Sequence, residues 1–156
     1  MTPKYRQLTQ DELQLLEKDF IDFLVVNGIT ADEWVQIKAS DSEKVEKFVV
    51  LFSDVVFEKM MRKTEYLMKK MGDVLLCFHF AEKEATLLLV QNLRSDKPVT
   101  ELAPSDLELK EANISRQIKS YQKPRELEIF ELITGGAEVS DGKIYKTIES
   151  SDINLK

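Results

Sequence analysis

Two stretches decide the fold: Asp73-Val74-Leu75-Leu76-Cys77-Phe78-His79-Phe80-Ala81 and Ala85-Thr86-Leu87-Leu88-Leu89-Val90-Gln91-Asn92-Leu93. Both are rich in Val, Leu and Phe, and only the charged Glu82-Lys83-Glu84 parts them. Apolar runs of this length joined by so short a polar link read as a β-hairpin. What precedes them is helical. Thr9 with Glu12, and Thr30 with Glu33, each have the spacing of a capping box, in which two side chains satisfy two backbone amides at a helix start. Leu8 with Leu13, and Ile29 with Trp34, are placed as the matching hydrophobic staples. The first helix buries Leu13, Leu16, Phe20 and Leu24 and ends at Asn27-Gly28. The second runs from Ala31 to about Ala39.

Ser40 and Glu43 form a third box, opening an apolar pattern that continues through Val45, Phe48, Phe52, Val56, Met60 and Leu67 towards Met71. Such a helix would be about 45 Å long, whereas a compact chain of this size is roughly 39 Å across. A break near Lys63-Thr64-Glu65 is therefore expected. After the hairpin, residues 94–109 carry Pro98 and Pro104 and read as a loop with one turn of helix at Ser105 and Glu108. Ile114, Ile118 and Tyr121 fit helical spacing, while Ile114, Arg116 and Ile118 also fit a strand, and the sequence leaves both open. Pro124 suits a helix start, with Leu127, Ile129, Phe130, Leu132 and Ile133 following up to Gly135-Gly136. Ala137 to Val139, the Ser140-Asp141-Gly142-Lys143 turn and Ile144 to Ile148 read as a second hairpin. The expected fold class is α+β: N-terminal helices packed with an antiparallel hairpin, a further helix and a C-terminal hairpin. One globular domain is expected over residues 1–150, with a frayed tail at 151–156.

The 156 residues, 43% hydrophobic and 32% charged with five Gly and four Pro, exclude a disordered or low-complexity chain. A net charge of -6 excludes a uniformly basic nucleic-acid binder. By segment that charge is -6 over residues 1–58, +4 over 59–70, -4 over 71–115, +4 over 116–125 and -4 over 126–156. The longest apolar run, Val74 to Phe78, is far below the roughly 20 residues that span a bilayer, so no membrane contact is expected. The single cysteine, Cys77, and the absence of a signal-peptide pattern at the start imply a reducing, cytoplasmic setting.

Several stretches are familiar together: Lys4-Tyr5-Arg6 with Leu8-Thr9, Phe20-Ile21-Asp22-Phe23-Leu24 running to Asn27-Gly28-Ile29, Leu51-Phe52-Ser53-Asp54-Val55-Val56-Phe57-Glu58, Tyr121-Gln122-Lys123, Arg125-Glu126, Phe130-Glu131 and Asp141-Gly142-Lys143. On these the chain resembles an uncharacterised family of short bacterial proteins, a domain of unknown function. The resemblance implies a bacterial, cytoplasmic, single-domain protein and carries no activity, cofactor or site residue.

No catalytic, cofactor or metal motif stands out. Cys77 and His79 share a strand face but supply only half of a zinc site, and the pair lacks the orienting third group of a thiol nucleophile. Asp54 and Ser53 lie in an apolar stretch where a carboxylate would act as a general base only if buried, and helical rotation sends Asp54 to solvent. Gly135-Gly136 ends a helix and so is no phosphate loop. Met60, Met61, Met68 and Met71 fall within twelve residues. Methionine adapts to irregular partners, so this segment is expected to serve either as a contact surface for a protein or a second copy of the chain, or as core filling. The alternative is an anion or nucleic-acid patch in which Lys59, Arg62, Lys63, Lys69 and Lys70 adjoin Arg116, Lys119, Lys123 and Arg125, with Tyr66 and Tyr121 among them. The leading expectation is a non-enzymatic protein-interaction domain, self-association included.

Overall fold

The computed structural model describes residues 1–151, an α+β fold with six α-helices and one antiparallel sheet. The described chain forms two compact units that divide after Met60.

The first unit holds α1 (Gln10–Leu15), α2 (Glu17–Val26), α3 (Ala31–Ser40) and most of α4 (Ser42–Lys63). Both expected capping boxes form. Thr9 Oγ1 accepts from the Glu12 amide at 3.2 Å and Glu12 Oε1 from the Thr9 amide at 2.9 Å, with Thr30 and Glu33 at 3.2 and 3.1 Å. The first helix is two: the backbone at Leu16 leaves the helical region (φ -107°, ψ 20°) while the apolar stripe continues through it. Gly28, at φ +82°, closes α2 with the Ile29 amide donating to the Leu24 carbonyl at 2.9 Å. The third box is displaced by one residue. Asp41, not Ser40, accepts from the Lys44 amide at 3.1 Å, and the Ser40 hydroxyl donates to the Gln36 carbonyl within α3. Phe20 is the hub of the core, 4.9 Å from Phe52 and edge-on to Trp34 at 5.3 Å between ring centres.

The second unit is built on β1 (Tyr66–Met71), β2 (Val74–Phe80), β3 (Glu84–Gln91), β4 (Asn113–Ser120) and β5 (Glu138–Ser140), in the order β4-β3-β2-β1-β5. The hairpin expected over residues 73–93 is β2–β3, with Cys77 opposite Leu88. Helix α4 does end at Lys63, but a strand follows in place of more helix. Gly72, at φ +61°, makes the two-residue turn that pairs Met71 with Val74. Residues 113–120 are a strand, and residues 94–112 contain two 3-10 turns, Val99–Glu101 and Pro104–Asp106.

The expected C-terminal hairpin is absent. β5 pairs with β1, and Ile144 to Ile148 lie in a helix, α6 (Lys143–Ser150). A strand from Ile144 would put Lys146 on the buried side. The helix instead buries Ile144, Tyr145 and Ile148, and the Asp-Gly pair starts it: Asp141 Oδ1 accepts from the Lys143 amide at 3.0 Å. α6 and the 3-10 turns cover the sheet face of Leu75, Cys77 and Leu88. Helix α5 (Arg125–Thr134) follows β4, and its Ile129 is fully buried.

Candidate functional site

The sequence of α2, Glu-Lys-Asp-Phe-Ile-Asp-Phe-Leu-Val-Val, has six apolar residues in ten, more than the single stripe a surface helix needs. Phe20 and Leu24 turn into the core, so the surplus falls on solvent: Ile21, Val25 and Val26 are exposed, the last at 85%. Of these, Ile21 borders a groove of about 460 Å³, walled also by Phe20 of α2, Trp34 and Val35 of α3, and Val45 and Val49 of α4. Val35, on its rim, is 61% exposed. Residues 1–58, the stretch that contains the whole lining, carry twelve acidic against six basic side chains.

A second concavity, of about 410 Å³, lies in the sheet unit between α5 and the strands β2, β3 and β4. Phe78, Phe80 and Leu87 form its floor and Leu132 its roof. Strand pairing places Phe78 opposite Leu87 and Phe80 opposite Ala85 on one face of the sheet. Glu128 projects into the same space, with Oε1 accepting from Lys119 Nζ at 2.9 Å. Its Oε2 is buried without a hydrogen-bond partner, the one such side-chain atom among the described residues.

A known family matches residues 1–152 of the chain, and it is described as a family of unknown function. The chain belongs to DUF6495. No curated protein and no solved structure matches it. The DUF6495 match agrees with the resemblance of the sequence to an uncharacterised family.

In this DUF6495 chain the four methionines divide between core and surface. Met61 and Met68 are buried, and the exposed Met60 and Met71 belong to different units. The basic side chains are also dispersed. Lys69 and Lys70 are on β1 and Arg116 and Lys119 on β4, with β2 and β3 between them, about 14 Å of sheet. Many have structural partners. Lys69 Nζ donates to the Gly135 carbonyl at 2.8 Å, and Lys70 Nζ to the carbonyls of Ser95 and Lys97. Lys123 pairs with Glu131 at 2.6 Å. Arg125 donates to the carbonyls of Met61, Thr64 and Phe80, fastening the end of α4 to β2. Lys59, Arg62 and Lys63 occupy the last turns of α4, where cations complement the helix dipole.

The side chains considered for chemistry have structural work. Ser53, fully buried, accepts from the Leu8 amide at 2.9 Å and donates to the Val49 carbonyl at 2.7 Å. Asp54 accepts from the Lys4 amide at 2.8 Å. His79 stacks on Tyr66 at 4.7 Å and lies 5.6 Å from Tyr145. Burial pushes the Cys77 thiol up to about 12, far from a usable thiolate. Tyr121 donates its hydroxyl to the Ala81 carbonyl at 2.6 Å, closing the β2–β3 link. Among the described residues no cluster of His, Cys, Asp and Glu has a metal-binding arrangement, and no helix is long and apolar enough to cross a membrane.

Proposed function

We propose that this chain is a non-enzymatic protein-interaction domain of the cytoplasm and that its partner docks in the groove of the helical unit. The observation that carries the reading is an apolar groove with exposed walls, Ile21 and Val35, over Trp34. Large apolar side chains exposed together beside a concave surface mark a contact site, because leaving them in water costs free energy that docking recovers. The occupant is an amphipathic helix of another protein with basic flanks. A helix presents apolar residues in the stripe such a groove accepts, and the twelve acids against six bases of residues 1–58 favour cationic flanks. The lone Cys77, buried as a thiol, suits a reducing compartment.

The probe is a labelled amphipathic Leu/Lys helix of about 18 residues, five turns, titrated with the full chain and read by fluorescence anisotropy. Its Leu/Glu counterpart is the control. The Leu/Lys helix is expected to bind, to weaken as salt rises from about 50 to 200 mM, and to lose about tenfold or more in affinity to Ile21→Glu and to Val35→Glu. Equal binding of the Leu/Glu helix, or affinity unchanged in both variants, would refute the docking site. Concentration-dependent self-association of the chain that Ile21→Glu abolishes would replace the foreign helix with a second copy.

A further inference from the structure

The groove under α5 belongs to the other unit and makes a different demand on a ligand. Its walls are apolar and aromatic, with the rings of Phe78 and Phe80 6.0 Å apart and nearly parallel at 12°. At about 410 Å³ it falls in the range of small-molecule sites, roughly 300–1,000 Å³. Into this surface projects a carboxylate with one oxygen engaged and one not. The Glu128 side chain is 11% exposed, whereas that of its partner Lys119 is 62% exposed, so the pair is anchored at its acidic end and open to water at its basic end. A buried oxygen with no donor is costly to leave so, and native structures satisfy nearly all such atoms.

We infer that this groove is a binding site for an uncharged aromatic hydroxyl compound, whose ring lies against Phe78, Phe80, Leu87 and Leu132 and whose hydroxyl donates to Oε2 of Glu128. Charge selects the class. Lys119 already balances Glu128 at 2.9 Å, so an ammonium ligand would crowd the lysine and an anion would meet the carboxylate. A neutral donor satisfies the oxygen without either conflict. Shape selects the ring: an aromatic body fills an aromatic-floored slot and gains offset contacts with the Phe pair. The hydroxyl can come from a free phenol or from a tyrosine side chain.

The test titrates the full chain, with its leucine methyl groups observed by NMR, against 4-ethylphenol, ethylbenzene, benzylamine and N-acetyltyrosinamide. 4-Ethylphenol is expected to shift Leu87 and Leu132 and to bind about tenfold more tightly than ethylbenzene, the difference being a hydrogen bond to a charged acceptor. Benzylamine is expected to bind more weakly than the phenol. In Glu128→Leu the preference for phenol over ethylbenzene should fall to about unity while ethylbenzene still binds, which shows the groove intact. If that variant does not fold, Glu128→Gln should lower the same ratio and Leu132→Trp should exclude both ligands. Binding of N-acetyltyrosinamide as tightly as 4-ethylphenol assigns the hydroxyl to a protein side chain, and binding of 4-ethylphenol alone assigns it to a small molecule. Equal affinity for 4-ethylphenol and ethylbenzene, tightest binding of benzylamine, or a ratio unchanged in the Glu128 variants would overturn the site. None of these outcomes bears on the helical groove.

Discussion

The two units expose large apolar side chains unequally, Met71, Ile118 and Val139 in the sheet unit against Leu15, Ile21, Val25, Val26, Val35 and Val55 among those of the helical unit. In the sheet unit Leu67, Leu75, Leu88, Ile114, Ile129 and Ile148 are fully buried, because strand alternation gives each apolar side chain a face and α5 and α6 supply cover. In the helical unit Val26 stands 85% exposed on α2, because a helix with six apolar residues in ten has more apolar arc than its neighbours occupy, and Leu15, the last residue of α1, is 87% exposed. More of the apolar surface of the helical unit is left to solvent, and the contact proposed for it rests on that surplus. Each unit also carries one natural reporter: Trp34 is the chain's only tryptophan and Cys77 its only cysteine.

The contrast is most easily broken by truncating equivalent side chains on its two sides. Leu88→Ala should cost about 3 kcal/mol in a urea melt, through lost transfer energy and a cavity, whereas Val26→Ala should change stability by less than about 0.5 kcal/mol. Comparable losses at both positions would mean that Val26 is covered. Next in size is Arg125→Met, which leaves three carbonyls of the sheet unit without their charged donor and should cost about 2 kcal/mol. It should speed the reaction of Cys77 with a thiol reagent and leave Trp34 emission unchanged. Gly142→Ala should cost about 1–2 kcal/mol, since Gly142 has φ +87° and a Cβ there would stand 2.6 Å from the Tyr66 ring.

The smallest loss expected from a broken polar contact belongs to the helical unit. Hydrogen bonds from the Arg6 guanidinium, then from the Thr9 amide, hold the Glu12 carboxyl at about 2, below its ordinary 4.5. Because the folded value is the lower one, this contribution is complete above about pH 4.5 and is lost as pH falls through about 2. Both side chains are partly exposed, so solvent screening limits it to at most about 1 kcal/mol. Glu12→Gln should flatten the acid limb of stability followed by Trp34 emission between those pH values.

Local signals were legible in the sequence and tertiary ones were not. The capping boxes at Thr9 and Thr30 and the β2–β3 hairpin depend on neighbours in the chain, and they form as read. Asp141-Gly142 is local too, but the same dipeptide starts a helix as readily as it turns a hairpin, and the deciding spacing was Ile144, Tyr145 and Ile148. The strand after Lys63 was hidden because Leu67 continues a helical stripe, and Gly72-Asp73, which makes the turn into β2, went unread. The methionine cluster dispersed because a helix end and a strand point neighbouring side chains in different directions. The basic segments separated because β2 and β3 come between β1 and β4. The six apolar residues of α2 were in plain sight but read as a core-facing stripe, and only the packing of α2, α3 and α4 shows that Ile21 borders a groove. Glu128, one of 28 acidic residues, could be singled out only once α5 had placed it over the sheet.

The central claim is that the helical groove is a binding surface, and Trp34, on its wall, reports on it directly. Trp34 emission and its quenching by acrylamide should be recorded as the unlabelled Leu/Lys helix is added to the full chain. Docking in the groove should give a shift to shorter wavelength and reduced quenching, both saturating together and both absent with the Leu/Glu helix. Emission and quenching that stay constant while the Leu/Lys helix binds would place the contact elsewhere and contradict the claim.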